Sequence, residues 1–493
     1  MLKIKNVNLL LIIFIFLISF FVRVYKLQET EIYPDEITWM VRGKESFLAI
    51  KTGRFFYFKT AWWKSETDTE AINLPGALIS GASMFFLAKN QPTNYSLNIF
   101  SDYIAARIPF TVINSLFIVF FYLFLIKITN NKKTAFLGSL IFSLDPISIA
   151  LSRWYLVDSY LMIWLFLSFC SFYLIKNKKL SIITTALFLT LSFLTKPTAL
   201  ILLPVLFMIS PSKLVLTLIP FFLFVHIFWL GNDGYVGLEI YDYVIKQYKL
   251  SQEPFQTFFA GKITTNPPIY YYLYQLITRL PFLTLIGFFI SLFTKKVRVI
   301  LRKQKVIIPL SFFVFLYILV FSLSTKKLGI RYIYPIYPWI YYVSSVGIIY
   351  FYNKFNSKLK ILCTTLLFGY LSFLSIYFFP NYYLFYNQIF GGPTKMQSYD
   401  MVGLCTGAKN AISFINKNYL TDSVAYLGCN RFAINYYSGV RVSSDWKSEK
   451  YIIIEESLRT LSPENEAIKY FFDKEAVFIN KQQGVILSRV YIN

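Results

Sequence analysis

Long apolar runs separated by short lysine-rich breaks constrain this chain more than any other feature. A helix of roughly 20 apolar residues crosses the hydrocarbon core of a bilayer. Only 15% of the residues are charged and 56% are hydrophobic, against roughly 25% charged residues in soluble domains. We place about eleven spans, at roughly 7–22, 107–126, 134–151, 158–175, 180–195, 197–210, 214–230, 277–294, 306–324, 334–352 and 360–379. The pattern predicts a mostly α-helical, polytopic membrane protein.

The charge distribution gives these spans a direction. On one side the breaks hold only Lys and Arg as charged residues. Of the 25 Asp and Glu residues, Asp145 lies inside a predicted span, and the others lie in the opposite loops or at their edges. Because Lys and Arg are retained in cytoplasmic loops, we expect a cytoplasmic N-terminus and an external C-terminus. The net charge of +24 therefore reflects topology and does not indicate nucleic-acid binding.

Two parts follow from this topology. Residues 1–379 are predicted to form the transmembrane domain, and they include an external loop at 23–106. Within that loop, the 14-residue apolar stretch Leu74–Leu87 is short for a span and is predicted to be an interfacial or re-entrant helix. Residues 380–493 are predicted to form a small external α/β domain.

The tail carries alternating signals for helices and strands. Helical spacing is seen at Ala408–Asn418, and Pro463 opens a second predicted helix through Phe472. Short apolar runs predict strands, and the last two indicate a hairpin; they lie at 424–427, 451–454, 477–479 and 485–490. Cys405 and Cys429 could form a disulfide in an oxidising compartment, or they could be two small buried thiols.

Two adjacent carboxylates, Asp35 and Glu36, are the candidate catalytic groups. They follow the first predicted span by a few residues, on the external side. The chain has one histidine, His226, inside a predicted span, which removes histidine-based catalytic schemes and three-histidine metal sites. We therefore expect a general base to be a carboxylate. The pair could instead be a solvated loop, or could bind a divalent cation, although two adjacent carboxylates are not a complete metal site.

Cationic residues on the same predicted side could bind a phosphate. Lys326, Lys327 and Arg331 depart from the positive-inside bias. The planar guanidinium of Arg and the point charge of Lys both suit phosphate oxygens. We predict that the three residues hold the phosphate of a lipid carrier; the simpler alternative is that they snorkel to the interface.

Five further residues are weaker candidates for substrate binding. Arg153 and Asp158 flank the turn between the third and fourth spans, and could bind substrate or close a helical hairpin as an ion pair. Lys196, between two spans, could be a cation of the donor cavity or a snorkelling residue. Arg107 opens the second span. Tyr270, the first of three consecutive tyrosines, could stack on a sugar or belong to an interfacial aromatic belt.

In their order and common side of the membrane, these landmarks resemble the polytopic C-type (GT-C) glycosyltransferases. The nearest branch contains protein O-mannosyltransferases and the transferase that adds aminoarabinose to lipid A, and the resemblance covers roughly residues 7–380. It implies a sugar donor linked to polyprenyl phosphate. It also implies that Asp35 activates the acceptor, with Glu36 in support, and that Arg331 holds the phosphate with Lys326 or Lys327. Several relatives carry a basic or histidine residue just before the proline that opens the apolar stretch of the first loop, where this chain reads Ile72-Asn73-Leu74-Pro75.

The resulting prediction is an inverting membrane glycosyltransferase of the cell membrane. It would move a sugar from a polyprenyl-phosphate carrier to a protein, lipid or glycan outside the cytoplasm, without nucleic acid and with no certain cofactor. A lipid-carrier flippase or a non-catalytic assembly factor are the alternatives. A transporter would carry charged residues in facing span interiors and internal repeats, which this sequence does not display.

Overall fold

The computed structural model describes residues 9–53, 73–87, 99–228, 236–429 and 440–493. Parts of the predicted external loop 23–106, and of the chain between the spans predicted at 214–230 and 277–294, lie outside these ranges. Seventeen of the helices that follow precede the tail; in chain order they are α1 (Leu9–Val24), α2 (Pro34–Thr52), α3 (Leu74–Leu87), α4 (Ile99–Thr129), α5 (Lys132–Leu144), α6 (Pro146–Arg153), α7 (Val157–Leu174), α8 (Lys178–Thr195), α9 (Leu202–Ile209), α10 (Pro211–Phe228), α11 (Val236–Gln252), α12 (Tyr271–Arg279), α13 (Phe282–Phe293), α14 (Lys295–Arg302), α15 (Ile307–Leu323), α16 (Tyr337–Tyr352) and α17 (Ser357–Tyr377).

The helices agree with a polytopic membrane protein. Among the described residues, five helices are long and apolar enough to cross a bilayer, and the number rises to eight if each bent helix pair is one span. The structure thus confirms a mostly helical chain with several candidate spans. The count of about eleven and the orientation of the ends stay predictions.

Prolines interrupt several of the predicted spans. The span predicted at 134–151 is bent by 58° at Asp145, and the one predicted at 277–294 is bent by 119° where Pro281 follows α12. Proline has no backbone N–H and disfavours the helical conformation of the residue before it. In the same way, the span predicted at 197–210 begins with a 3₁₀ turn at Pro197–Ile201 before α9 starts.

Helix α2 begins at the acidic pair and lies within the predicted external loop 23–106. Pro34 occupies the first turn, and the carboxylate of Glu36 accepts the N–H of Tyr33 at 2.8 Å. Proline at this position and a returning Glu side chain are both signals of a helix start. Helix α2 packs on α3, where a Cβ on Gly81 would clash with the carbonyl oxygen of Gly43. The two glycines therefore allow the close crossing of these helices.

The tail contains the predicted mixture of helices and strands. The elements, with a small hairpin β1–β2 that precedes the tail, are β1 (Thr257–Phe259), β2 (Lys262–Thr264), α18 (Gly392–Met396), α19 (Ala408–Asn418), β3 (Ser423–Leu427), β4 (Arg441–Ser443), β5 (Tyr451–Glu455), α20 (Glu456–Leu461), α21 (Glu466–Phe471), β6 (Phe478–Gln482) and β7 (Val485–Ile492). The five strands of the tail form one sheet in the order β4-β3-β5-β7-β6, in which β3 is parallel to β4 and β5, and β7 is antiparallel to β5 and β6. The predicted hairpin is β6–β7, and the sequence analysis contains no prediction for β4.

Helices cover both faces of this sheet. On one face, Ile412 and Ile415 of α19 pack against Ile453 of the central strand. On the other face, Ile468 and Phe471 of α21 pack with the neighbouring strand residues. The division of the chain at residue 379 stays a prediction.

The tail is joined by polar contacts to the segment between α1 and α2. The N–H of Gly407 donates to the buried carboxylate of Glu31 at 2.8 Å, and Lys409 Nζ pairs with Glu29 at 3.0 Å. Cys405, two residues before Gly407, forms a disulfide with Cys429. The disulfide therefore closes the segment of the tail that touches the chain just before α2.

Candidate active site

The carboxylate of Asp35 lies at the start of α2 and is paired with a guanidinium from a distant part of the chain. Arg331 Nη1 donates to Asp35 Oδ2 at 2.8 Å across 296 residues of sequence. The Asp35 side chain is 44% exposed and that of Arg331 only 11%. The candidate base is thus open to an incoming molecule, while the cation is held within the fold.

Two aromatic rings hold the guanidinium of Arg331. Its central carbon lies 5.1 Å from the ring centre of Tyr33 and 5.3 Å from that of Tyr332, within the range of cation–π attraction. Burial raises the pKa of the Tyr33 hydroxyl, so this tyrosine stays neutral. Arg331 Nε is buried and has no hydrogen-bond partner among the described residues. This N–H group could donate a hydrogen bond to an oxygen of a ligand.

A second ion pair adjoins the first through Tyr332. Lys196 Nζ donates to Asp158 Oδ1 at 3.0 Å and lies 4.0 Å from the ring centre of Tyr332. The structure therefore brings together four of the predicted site residues. We call Asp35, Arg331, Lys196 and Asp158 the charged cluster. Its two cations, which both lie near the ring of Tyr332, are suited to bind an anionic group.

The second acidic residue, Glu36, has a different environment from Asp35. It is 1% exposed, and its two oxygens accept from Arg107 Nε and Nη2 at 2.8 and 2.6 Å and from the backbone N–H groups of Tyr33 and Tyr155 at 2.8 and 2.6 Å. With four donors around it, the carboxylate has no capacity left for substrate. We infer that Glu36 anchors α2, and its catalytic role stays a prediction.

Two arginines among the predicted residues also bind the chain itself. Arg107 donates to backbone oxygens of Thr30 and Glu31 at 2.9 Å, in addition to its pair with Glu36. Arg153 is fully buried and donates to four backbone carbonyls at the end of α1. An ion pair between Arg153 and Asp158 was one expectation; instead Asp158 pairs with Lys196. Both arginines fix the backbone that leads into α2.

The remaining predicted residues lie apart from the charged cluster. Lys327 Nζ donates to the carbonyl of Ser324 at 2.8 Å, and burial lowers its pKa. Lys326 Nζ lies 5.7 Å from the ring centre of Phe255. In the part of the chain that the structure describes, no hydrogen bond or ion pair joins either lysine to the cluster. Tyr270 is 55% exposed, and the roles predicted for these three residues stay predictions.

The acidic pair does not converge on a position for a metal ion. The oxygens of Glu36 are engaged by nitrogen donors, and Asp35 faces Arg331. Over the described ranges there is no group of three or more His, Cys, Asp and Glu side chains suited to a metal. The divalent site considered for these two residues therefore does not fit the donor set.

The sequence analysis missed the aromatic residues that organise the cluster. Tyr33 and Tyr332 each stand next to, or two residues from, a predicted charged residue. A tyrosine next to an arginine in the short segment between two predicted spans was an available signal, because guanidinium groups stack on aromatic faces. The Pro34–Glu36 helix-start signal was available as well.

One family model matches part of the chain. Residues 13–219 match the family described as Dolichyl-phosphate-mannose-protein mannosyltransferase. No curated protein sequence matches the chain at a significant level.

Three solved structures are similar in fold. ArnT from Cupriavidus metallidurans in the apo state has a TM-score of 0.51 at 12% identity, over 98% of this chain and 97% of that one. ArnT from the same organism bound to undecaprenyl phosphate gives 0.46 at 10% identity, over 98% and 96%. The archaeal oligosaccharyltransferase AglB from Archaeoglobus fulgidus, in complex with an inhibitory peptide and a dolichol-phosphate, gives 0.49 at 11% identity, over 92% and 69%.

These findings confirm the resemblance read from the sequence. The apo ArnT structure, with the highest TM-score of the three, shows a shared fold along almost the whole chain. The family match covers the acidic pair, Arg107, Arg153, Asp158 and Lys196. Over residues 13–219 the chain is therefore similar to the dolichyl-phosphate-mannose-protein mannosyltransferase family, and its fold, that of a multi-pass membrane protein, is similar to the fold of ArnT.

Proposed function

We propose that the enzyme transfers a sugar from a polyprenyl-phosphate carrier to an acceptor on the extracytoplasmic side of the cell membrane, with inversion at the anomeric carbon. The observation that carries this proposal is the pairing of Asp35 with Arg331. It sets a candidate base beside a candidate phosphate ligand. The family description, which names a dolichyl-phosphate-linked mannose donor, supports the choice of donor class.

The reaction follows from the cluster's geometry. A hydroxyl or amine of the acceptor attacks the anomeric carbon, and its proton passes to the Asp35 carboxylate. The bond between that carbon and the phosphate oxygen breaks, and the electron pair leaves with the phosphate. Arg331 and Lys196 stabilise the added negative charge on this leaving group, which is the electrostatic assistance that phosphate departure requires. No general acid is needed, because phosphate is already a good leaving group.

Side-chain exposure matches these roles. A base has to reach a mobile acceptor, and Asp35 is the most exposed member of its ion pair. A phosphate ligand has to be held in a fixed direction, and Arg331 lies between two rings with Nε still available. The disulfide in the tail supports the external location, because disulfides persist in oxidising compartments.

The proposal is tested with purified protein in lipid nanodiscs and a polyprenyl-phosphate-linked labelled sugar. The wild-type protein is expected to release polyprenyl phosphate and transfer label to an acceptor fraction. In sealed vesicles, movement of the intact donor across the bilayer without its consumption would instead identify a flippase. No turnover with any of a panel of donor sugars and acceptor fractions would contradict the proposal.

The phosphate site is tested by binding of polyprenyl phosphate alone. Arg331→Gln removes a charge-assisted hydrogen bond, so affinity is expected to fall by about 10- to 100-fold. Arg441→Gln is the matched control, because Arg441 is exposed on β4 of the tail. Equal affinity of the Arg331→Gln and Arg441→Gln proteins would remove Arg331 from the phosphate site.

A further inference from the structure

A cavity of about 290 Å³ lies between the membrane part of the chain and the tail. Its walls come from three places: the segment after α1, the turn after α17, and the tail elements α19 and β6. The volume is at the lower limit of small-molecule pockets, which measure about 300–1,000 Å³. The cavity is therefore large enough for a single ring and too small for an oligosaccharide or a lipid chain.

The lining of the cavity is rich in carboxylate and amide groups. Lys26, Glu29 and Glu31 come from the first segment, and Asn381, Asn410 and Gln482 from the turn and the tail. Such side chains offer donors and acceptors side by side. This arrangement matches neighbouring hydroxyl groups on a sugar ring, each of which both donates and accepts.

One buried polar atom in this lining has no partner in the described structure. Asn381 is 4% exposed, its Nδ2 donates to Gln482, and its Oδ1 has no hydrogen bond among the described residues. A buried acceptor without a donor costs free energy. A ligand hydroxyl in the cavity would supply the missing donor.

The charges around the cavity are close to balance. Lys26 is positive, and Glu29 is neutralised by Lys409. Burial raises the pKa of Glu31 to about 7, so this carboxyl group is only partly ionised at neutral pH. A cavity of this kind favours an uncharged polar ligand over a phosphate or a free cation. Phe379 and Pro380 add an apolar wall of the sort that packs on the C–H face of a sugar.

We propose that this cavity is a saccharide-binding subsite that holds one hexose or pentose unit of the acceptor. The subsite is separate from the charged cluster, and its assignment to the acceptor rests on the proposed function. Glu31 lies four residues before Asp35 in the sequence. A sugar bound there would thus hold an acceptor glycan near the candidate base through the segment 31–35, and would make the tail part of the acceptor site.

The test is binding of methyl glycosides, measured by saturation-transfer NMR on the full-length protein in nanodiscs without donor. Methyl mannoside, galactoside, glucoside and arabinoside are the probes. At least one is expected to bind, and Asn410→Ala is expected to weaken it by about three- to tenfold. Asn418→Ala on the same helix α19, outside the cavity, is the matched control and leaves binding unchanged.

Two further measurements keep the proposal distinct from the proposed function. Asn381→Leu removes the unpartnered oxygen and is expected to reduce glycoside binding at least as much as Asn410→Ala. Saturating polyprenyl phosphate is expected to leave the bound glycoside in place. Absence of binding for all four probes, binding insensitive to both variants, or displacement by polyprenyl phosphate would each overturn the subsite. These results do not depend on whether sugar transfer is observed.

Discussion

The substitution Glu36→Gln separates the two adjacent carboxylates by their physical roles. Glu36 accepts four hydrogen bonds, two from Arg107 and one each from the N–H groups of Tyr33 and Tyr155. In the glutamine variant, one oxygen becomes an NH₂ group that faces two of these donors. Arg107 also keeps its charge in a buried position without its counter-ion. The substitution therefore changes the fold more than the chemistry.

The cost can be worked from these contacts. An unsatisfied buried donor costs about 1–3 kcal/mol, and removal of one partner from a buried ion pair costs about 3–5 kcal/mol. Because these contributions overlap, we expect Glu36→Gln to lower the unfolding free energy by about 3–5 kcal/mol. The measurement is unfolding by SDS titration in mixed micelles, with polyprenyl phosphate binding recorded on the fraction that stays folded.

Asp35→Asn is the matched control for this experiment. The Asp35 side chain is 44% exposed and makes one ion pair, and an ion pair of this kind contributes about 1 kcal/mol or less. Because Asp35 is partly exposed, we expect the unfolding free energy of Asp35→Asn to fall by less than that of Glu36→Gln. A Glu36→Gln protein as stable as Asp35→Asn, with transfer abolished, would refute the structural role and return Glu36 to the catalytic group.

Two further predictions concern the tail. Burial raises the pKa of Glu455 from 4.5 to about 7, so the folded state holds a proton that the unfolded state loses over this interval. The unfolding free energy of the tail should therefore fall by about 3 kcal/mol from this group as pH rises from 4.5 to 7. Glu455→Gln should flatten this pH dependence, measured by hydrogen exchange. An unchanged pH dependence in the variant would contradict the raised pKa of Glu455. Cys405→Ser removes a disulfide between residues 24 apart and should destabilise the tail by about 3 kcal/mol in the same measurement. Cys363→Ser, at a free cysteine, should leave the stability of the tail unchanged. Equal stability of the two variants would show that the disulfide does not stabilise the tail.

Local and compositional features of this fold were predictable from the sequence. Apolar run length identified the membrane part, and the period of apolar residues placed Ala408–Asn418 and the hairpin of the tail. Those features depend on neighbours in the chain. The bends at Asp145 and before Pro281 could not be predicted from the sequence. The sequence shows the prolines but not whether a proline kinks a span or is accommodated within it.

The pairing of side chains was harder to predict than their presence. Asp35 and Arg331 were both selected as candidates, but 296 residues separate them, and no local pattern encodes such a contact. Likewise the sequence offered Arg153 as the partner of Asp158, five residues away, whereas the fold supplies Lys196. Asp35 and Glu36 are adjacent at the start of a helix but differ in burial, since Asp35 is exposed and Glu36 is buried. The sequence does not show which of the two carboxylates is accessible to a substrate.

We propose that Asp35 acts as the general base opposite a phosphate held by Arg331 and Lys196. The most direct measurement is the turnover number of Asp35→Asn alongside its affinity for polyprenyl phosphate. A positioned general base contributes about 10²- to 10⁴-fold, so turnover should fall by this factor while affinity for the carrier phosphate is retained. A folded Asp35→Asn enzyme that transfers sugar at a rate near that of the wild type would contradict the account.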